Sequence, residues 1–364
     1  VTVSSFLLFT DLHAHPHKKS EQRLNDCLET LKWVFETAKK NNIKNILFGG
    51  DFFHDRNKID LLTCHQTFSL MKNYLDGSIN LYLVLGNHDL WYYEKTSVSA
   101  VTMFSSLPNV TIIDKPQSMR IDGIKWHLIP FTHDPTNTLQ ALDSDIDDKT
   151  FLLGHLAIDG ARLNSAGSIS EVEIEHDGDM IKINKSLFSR YKSAFLGHYH
   201  GYQTLSKNLE YIGSPLQLSF GEANETKHIL HLKIEDTGEY QKEYIENEFS
   251  PRHYCGTSEQ LLLIPKKFLE KAFITLISSH ENKQDIAQEI EELEKSGIKT
   301  IKVKKQVEKD SAEDTSTVQT SKSILENTET MVEQYVKHLN PTADHEKLIK
   351  IGKIIVSATN LEDE

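Results

Sequence analysis

Five short segments of this 364-residue chain concentrate residue types that bind divalent cations. In chain order they are Asp11-Leu12-His13, Gly50-Asp51-Phe52-Phe53-His54, Gly86-Asn87-His88-Asp89, Gly154-His155 and Gly197-His198-Tyr199-His200. Carboxylate, carboxamide and imidazole groups are the hard and borderline donors that a pair of divalent ions needs to split a phosphate ester. Each segment follows an apolar run that reads as a strand, so the candidate ligands all stand at strand exits.

Taken singly, the segments differ in weight. Asp11 and His13 are two residues apart, and in an extended backbone alternate side chains point the same way, so both are expected to reach one ion. Alone, the pair would read as a turn aspartate and a surface histidine. Gly49-Gly50-Asp51 is more specific. Two glycines permit a tight exit with the carboxylate at the apex, where its oxygens can bridge ions about 3.5–4 Å apart. A helix-capping aspartate is the competing reading. Gly86-Asn87-His88-Asp89 is the most specific single segment. The Asn87 amide oxygen is a neutral ligand and adds no negative charge to a site that must accept a phosphate anion. His88 beside it is suited to protonating a leaving oxygen, because imidazole titrates near neutral pH. A hairpin turn is the bland alternative. His198 and His200 repeat the alternate spacing, and His155 gains metal-binding meaning only from the company of the others.

Such residues need a scaffold that brings strand ends together. Ser5–Thr10, Lys44–Phe48 and Leu81–Leu85 read as strands, and Leu24, Leu28, Leu31, Val34, Phe35 and Ala38 recur at helical spacing. Asp60–Leu75 reads as a helix capped by Asp60. This βαβαβ rhythm predicts an α/β fold with a parallel-type sheet and ligands at the carboxyl ends of its strands. Ile112–Ile113, Lys125–Ile129, Thr150–Leu153 and Ala194–Leu196 continue the series. Tyr211–Ile212, His228–Ile234 and Tyr240–Ile245 are expected to close it as antiparallel strands. Composition then shifts, and residues 251–307 read as a small α/β unit: strand Phe273–Ile277, helix Gln284–Ser296 with Gly297 as its C-cap, strand Thr300–Lys304. Residues 308–322 are polar, have little to bury, and read as a linker. The helical patterns Ser323–Leu339 and Ala343–Ala358, broken by Asn340-Pro341, predict a hairpin over 323–364 with a bare apolar face. It either folds back on its own domain or docks on a partner helix.

At 38% hydrophobic and 26% charged, the chain has the balance of a soluble globular protein. No run approaches the ~18 apolar residues of a membrane span. Phe6-Leu7-Leu8-Phe9 is too short, and too poor in preceding basic residues, for a signal-peptide core. Cys27, Cys64 and Cys255 show neither metal nor disulfide spacing and read as reduced cytoplasmic thiols. A formal net charge of −13 argues against a broad basic face that grips DNA unaided. It does not argue against a nuclease, because ligand carboxylates add negative charge that metals offset and a partner can supply the basic surface.

The order Asp-x-His, Gly-Asp-x-x-His, Gly-Asn-His-Asp, Gly-His, Gly-His-x-His resembles the calcineurin-like metallophosphoesterase superfamily. The resemblance implies a double-sheet α/β sandwich flanked by helices around a two-metal centre. Carried onto this chain, it implies Asp11, His13, Asp51 and His200 at one metal and Asp51, Asn87, His155 and His198 at the other. His88 would be the general acid, and Asp89 would orient it. The ligand set accepts manganese, iron or zinc.

Gly49–Asp55, His155–Ala161 and above all Tyr211–Glu222 look like the SbcD family, the nuclease subunits of bacterial and phage double-strand-break processing complexes. That resemblance implies a nuclease domain over 1–250, a capping domain over 251–307, and terminal helices that grip an SbcC-type ATPase. It further implies a manganese-dependent exonuclease on duplex DNA ends and an endonuclease on single strands or hairpins, working in DNA repair, recombination or replication. A homodimer within a heterotetramer, paired through helices Asp60–Leu75 and Glu94–Ser106, and a cytoplasmic location follow from it. His54 would help seat the phosphate, and Gly213-Ser214-Pro215 would shape the rim or form a plain turn. The chain departs from many relatives at Ala14-His15-Pro16-His17, where they carry Leu-Gly. His15 and His17 are either surface histidines or touch the phosphate or a metal; His133 reads as a loop residue and His65 as packing or solvent-facing. The rival reading is a stand-alone metallophosphatase or cyclic-nucleotide phosphodiesterase, which has little use for a capping unit and a terminal hairpin.

Overall fold

Alternation along the first strand sets the layers. In the computed structural model, β1 (Val3–Phe9) sends Phe6 and Leu8 to one face and Leu7 and Phe9 to the other, and all four are fully buried. A strand buried on both faces reads as a continuous apolar run, which is why its sequence lacks polar alternation. The structure describes residues 2–305 except 18–19, 57, 93–97, 133–134, 143–145, 163–172, 177–178, 270, 281, 296–297 and 299–300. The expected linker, the terminal hairpin, the Gly297 cap and His133 therefore lie outside the described residues.

Helix α1 (Glu21–Lys40), capped by the Ser20 hydroxyl, precedes β2 (Asn45–Phe48). Helix α2 (Leu61–Tyr74) is capped as expected by Asp60, whose carboxylate accepts from Thr63 N at 2.9 Å, and leads to β3 (Asn80–Val84). Then come β4 (Val110–Ile113), β5 (Gln117–Ile121), β6 (Ile124–Ile129), α3 (Pro135–Leu142), β7 (Phe151–His155), β8 (Glu173–His176) and β9 (Asp179–Lys182). The series ends with β10 (Ser193–Gly197), β11 (Gln203–Ser206), β12 (Leu209–Tyr211), β13 (His228–Glu235) and β14 (Tyr240–Glu246). One sheet has the order β14-β13-β1-β2-β3-β4, with β1 to β4 parallel and β13 and β14 antiparallel. The second has the order β11-β12-β10-β7-β6-β5, with β6, β7, β10 and β12 parallel. Strand β8 pairs only with β9 among the described residues, as a short antiparallel hairpin.

The two sheets share one apolar layer. Phe6, Leu8, Leu47 and Val84 of the first meet Trp126, Leu128, Phe151 and Phe195 of the second. Phe6 packs edge-on against Trp126 at 5.2 Å. Truncating such a buried ring to Ala costs about 3–5 kcal/mol. The outer face of the first sheet is covered by Leu31, Val34, Phe35 and Ala38 of α1, the helical stripe read from the sequence. The outer face of the second is covered by Ala141 and Leu142 of α3 together with Phe188 and Tyr191. This is the double-sheet α/β sandwich that the motif order implies.

Two expectations need correction. Tyr211–Ile212 is not a closing antiparallel strand: β12 runs parallel to β10 and is antiparallel only to β11, which the sequence reading missed. The segment 94–106 is not an α-helix where it is described; Ala100–Ser106 is a 3₁₀ helix, with Ser99 at its start making no side-chain cap hydrogen bond.

Residues 251–305 add β15 (His253–Gly256), α4 (Ser258–Leu262), β16 (Phe273–Ser278), α5 (Lys283–Lys295) and β17 (Ile301–Lys305). The three strands form a parallel sheet around a core of their own that includes Leu261, Ile274, Leu276 and Leu293. Residues 1–306 nevertheless form one compact unit. Arg23 of α1 ties the small sheet to the large ones: it donates to the carbonyls of Gln217 and Leu218 and lies 5.3 Å over the Phe273 ring.

Candidate metal centre

Parallel pairing places the carboxyl ends of β1, β2 and β3 along one edge, and those of β7 and β10 on the facing sheet. The five ligand segments leave from those ends. The exit loop of β1 is zipped to that of β2: Asp11 N donates to Gly50 O at 2.8 Å, His13 N to Asp51 O at 3.1 Å and Ala14 N to Phe52 O at 2.8 Å. Asp11 and His13 do not share an extended backbone, as alternate spacing suggested. They lie at φ 53° and 47°, Asp51 at 60° and His198 at 106°, all on the left-handed side of the map. Non-glycine residues rarely adopt such angles, and they persist where surrounding structure over-determines them. The strands have already ended at Phe9, Phe48 and Gly197, so the ligands are aimed by kinked loops rather than by pleating. Gly50 (φ 102°) is required for two reasons: its backbone is left-handed, and a Cβ there would meet the His155 ring and Gly86 N.

Asp51 is the meeting point. Its Oδ2 lies 3.5 Å from His13 Nε2 and 3.3 Å from His155 Nε2. Beyond His13, His200 Nε2 is 3.1 Å away. Beyond His155, the Asn87 oxygen lies 3.0 Å from His155 Nε2 and 3.0 Å from His198 Nδ1. Asp11 receives the Thr10 hydroxyl at 2.8 Å and the His198 amide at 3.2 Å. Asp11, His13, Asp51, Asn87 and His155 are all buried.

The chemistry of this donor set fits cations. The His155 Nδ1–H donates to the Gly49 carbonyl at 2.8 Å, so when that ring is neutral its Nε2 lone pair faces two oxygen acceptors. The His200 Nδ1–H donates to the Glu222 carboxylate at 2.9 Å, so when that ring is neutral its Nε2 lone pair faces that of His13. Burial opposes charge on His200, but Glu222 and Asp11 outweigh it and raise the ring above the usual imidazole range. Acceptors facing acceptors in a buried space call for positive charge between them. Groupings with cation-holding geometry include Asp11–His13–His200 and Asp11–Asp51–His155, and a third, His13–His54–His88, extends to the neighbouring loops.

Protonation follows the same logic. Burial pushes His198 down to about 3 and His13 well below the usual imidazole range, so both rings are neutral at physiological pH. Burial also opposes charge on His155, but the Asp51 carboxylate outweighs it and lifts the ring to about 9. Asp51 itself is held well below the usual carboxylate range, against its burial, by His155 and His13.

Asp89 does not orient His88. Its Oδ2 accepts from Asp51 N and Gly86 N at 2.9 Å each, and its Oδ1 from Phe52 N at 2.8 Å. It staples the β2 exit loop to the β3 exit loop, which fixes the backbone that carries Asp51. Burial, then the Asp51 charge, push its carboxyl up to about 7 against those donors. His88 is oriented otherwise: its Nδ1–H donates to the His54 carbonyl, and its backbone N donates to Asp51 Oδ1 at 2.7 Å. His54 lies with Nδ1 3.4 Å from His13 Nδ1 and its ring stacked on His88 at 5.6 Å.

His15 and His17 are drawn into the same region. His15 Nε2 pairs with Asp55 at 2.9 Å, and both rings lie within 5.4 Å of the His54 ring centre. His65 is exposed on α2. Ser214 is buried beneath His200, not on the rim: its hydroxyl contacts Glu222, and its amide donates to the His200 carbonyl at 3.0 Å. Glu222 and Lys227 escaped the sequence reading, although Glu222 ends the most distinctive stretch it quoted. The available signal was a glutamate at the end of an otherwise apolar and small-residue run.

Residues 4–202 match the calcineurin-like phosphoesterase family. The chain belongs to that family. Calcineurin-like phosphoesterases are metal-dependent hydrolases of phosphate esters, in keeping with the donor set above. Among relatives, exonuclease subunit 1 of Enterobacteria phage T4 is 25% identical over 340 residues, spanning 91% of this chain and 93% of that protein. Solved structures that align include a conserved predicted phosphoesterase of Streptococcus pneumoniae, with 11% identity, 67% of this chain, 99% of the other and a TM-score of 0.27. A dimetal phosphatase of Danio rerio aligns with 9% identity, 64% of this chain, 93% of the other and a TM-score of 0.37.

Two outcomes test this geometry. Metal uptake must expel the His155 proton. Calorimetry at pH 7.5 in buffers of different ionisation enthalpy should record net proton release, with apparent affinity rising up to about pH 9 and then levelling. Uptake without proton release would contradict it. Asp89→Ala strands three buried amides and should cost on the order of 3 kcal/mol in chemical denaturation, besides weakening metal binding. A variant of undiminished stability that only slows hydrolysis would restore the discarded role beside His88.

Proposed function

We propose that this protein is a two-metal DNA nuclease subunit that cleaves phosphodiester bonds in concert with an ATPase partner. The observation that carries the reading is the single Asp51 carboxylate lying within 3.5 Å of imidazoles belonging to two separate donor groups. In this reading Asp11, His13, Asp51 and His200 hold one divalent ion and Asp51, Asn87, His155 and His198 the other. Such a pair, when bound, would neutralise charge on the phosphate and supply a water acidic enough to act as nucleophile near neutral pH.

The chain's own residues do the rest. Asp51 keeps the two halves of the site at a fixed separation. Asn87 completes its half without adding charge that would repel a phosphate. His88, anchored by its Nδ1–H on the His54 carbonyl, would in its doubly protonated form donate the Nε2 proton to the departing sugar oxygen. His54, half-buried between His13 and His88, seats a phosphate oxygen beside the ions.

DNA as substrate is supported by likeness to a phage exonuclease subunit that runs past the phosphoesterase match and through the small sheet. We read residues 251–307 as a capping domain over the nuclease domain 1–250, and 323–364 as the helices that dock on an SbcC-type ATPase. The word subunit in that relative's name and the net charge of −13 both favour a partner that supplies basic surface. Manganese suits the mixed oxygen and imidazole donors, and a homodimer within a larger complex is part of the same reading.

The test is digestion of end-labelled duplex, hairpin and single-stranded DNA with manganese, by the wild type and by His88→Ala. The variant should keep both ions by calorimetry and lose cleavage by about 10²–10⁴-fold. A wild type that hydrolyses p-nitrophenyl phosphate while sparing every DNA would mean a small-substrate phosphatase instead.

A further inference from the structure

One of the candidate ligand imidazoles is held by an ionised group rather than by a backbone carbonyl. His155 and His88 both rest on carbonyl oxygens through Nδ1. His200 rests on Glu222, with Nδ1 donating to Oε1 at 2.9 Å. Glu222 is itself fully engaged. Its Oε2 accepts from the Ser214 hydroxyl at 3.1 Å and the Leu218 amide at 3.3 Å, and pairs with the Lys227 ammonium at 2.8 Å. Lys227 also donates to the His200 carbonyl at 2.8 Å and to Glu225 at 2.8 Å. Glu222 and Lys227 are only 6% and 5% exposed, so neither is a solvated surface charge.

We propose that Glu222 is the positioning residue of the metal centre: it holds His200 Nδ1–H so that Nε2 is turned toward His13 on the ion-binding side, and Lys227 keeps the carboxylate in place to do so. A carboxylate behind a ligand imidazole fixes its tautomer and raises the basicity of the other nitrogen, which a neutral carbonyl does less strongly. Glu222 is not itself a ligand, because both of its oxygens are already engaged, one by His200 and the other by Ser214, Leu218 and Lys227.

The turn that carries Glu222 is pinned from the other side by the small sheet. Asn224 exchanges hydrogen bonds with the backbone of β15: its amide with His253 O at 3.0 Å, its side chain with Cys255 O at 2.9 Å and Cys255 N at 3.2 Å. The Phe220 ring packs edge-on against His253 at 4.8 Å, and Lys302 of β17 lies 5.5 Å over it. Docking of the small sheet and the aim of His200 therefore share the segment Phe220–Asn224.

This inference rests on the two-ion reading above, so the experiment separates the two. Manganese titration calorimetry on the full chain is paired with thermal melting of the metal-free protein, for wild type, Glu222→Gln and the double variant Glu222→Gln/Lys227→Met. The double variant removes both buried charges, so only the partly exposed Glu225 loses a partner if the single variant folds poorly. The wild type should bind two ions. The variants should bind one of them about 10–100-fold more weakly, the other within about threefold, with little change in metal-free melting. Unchanged affinity for both ions, or an equal loss at both that tracks a fall in metal-free melting, overturns the positioning role. A wild type that binds no ion overturns the two-ion reading and this inference with it.

Discussion

Asp51 carries charge in a place stripped of water, and the rest of the centre is arranged around that fact. An isolated buried carboxylate is costly enough that it would take up a proton. Here His155, His13 and the His88 amide hold it ionised. The imidazoles around it in turn present lone pairs toward one another and toward oxygens. The arrangement is self-consistent only with positive charge inside, from protons or from bound cations.

The fold serves this constraint by bringing separate strand exits together and then kinking them. Two sheets that share an apolar layer bring parallel strand ends face to face, and left-handed residues at Asp11, His13, Asp51 and His198 turn the side chains inward. That backbone would relax without an outside hold. The Asp89 carboxylate provides one, by taking three amides from two loops. The buried Glu222–Lys227 pair provides another, beneath His200.

Much of this was legible in the residues. Apolar runs located β1, β2, β3, β6, β7 and β10, helical spacing located α1 and α2, and the motif order indicated which side chains converge. What escaped were features with no periodic signal. The parallel placement of β12 depends on its partner β10, not on its own three residues. The left-handed ligands look, in sequence, like ordinary members of a pleated strand. The resemblance implied that Asp89 orients His88, a side-chain partnership that the structure replaces with amides from across the loops. Lys227 resembles any surface lysine until the fold buries it against Glu222.

The most direct measurement of the central claim is anomalous diffraction at the manganese edge from crystals of the full chain grown with manganese. Two peaks about 3.5–4 Å apart should flank the Asp51 carboxylate, one beside His13 and His200, the other beside Asn87, His155 and His198. A single peak, or two that do not share Asp51, would contradict the account.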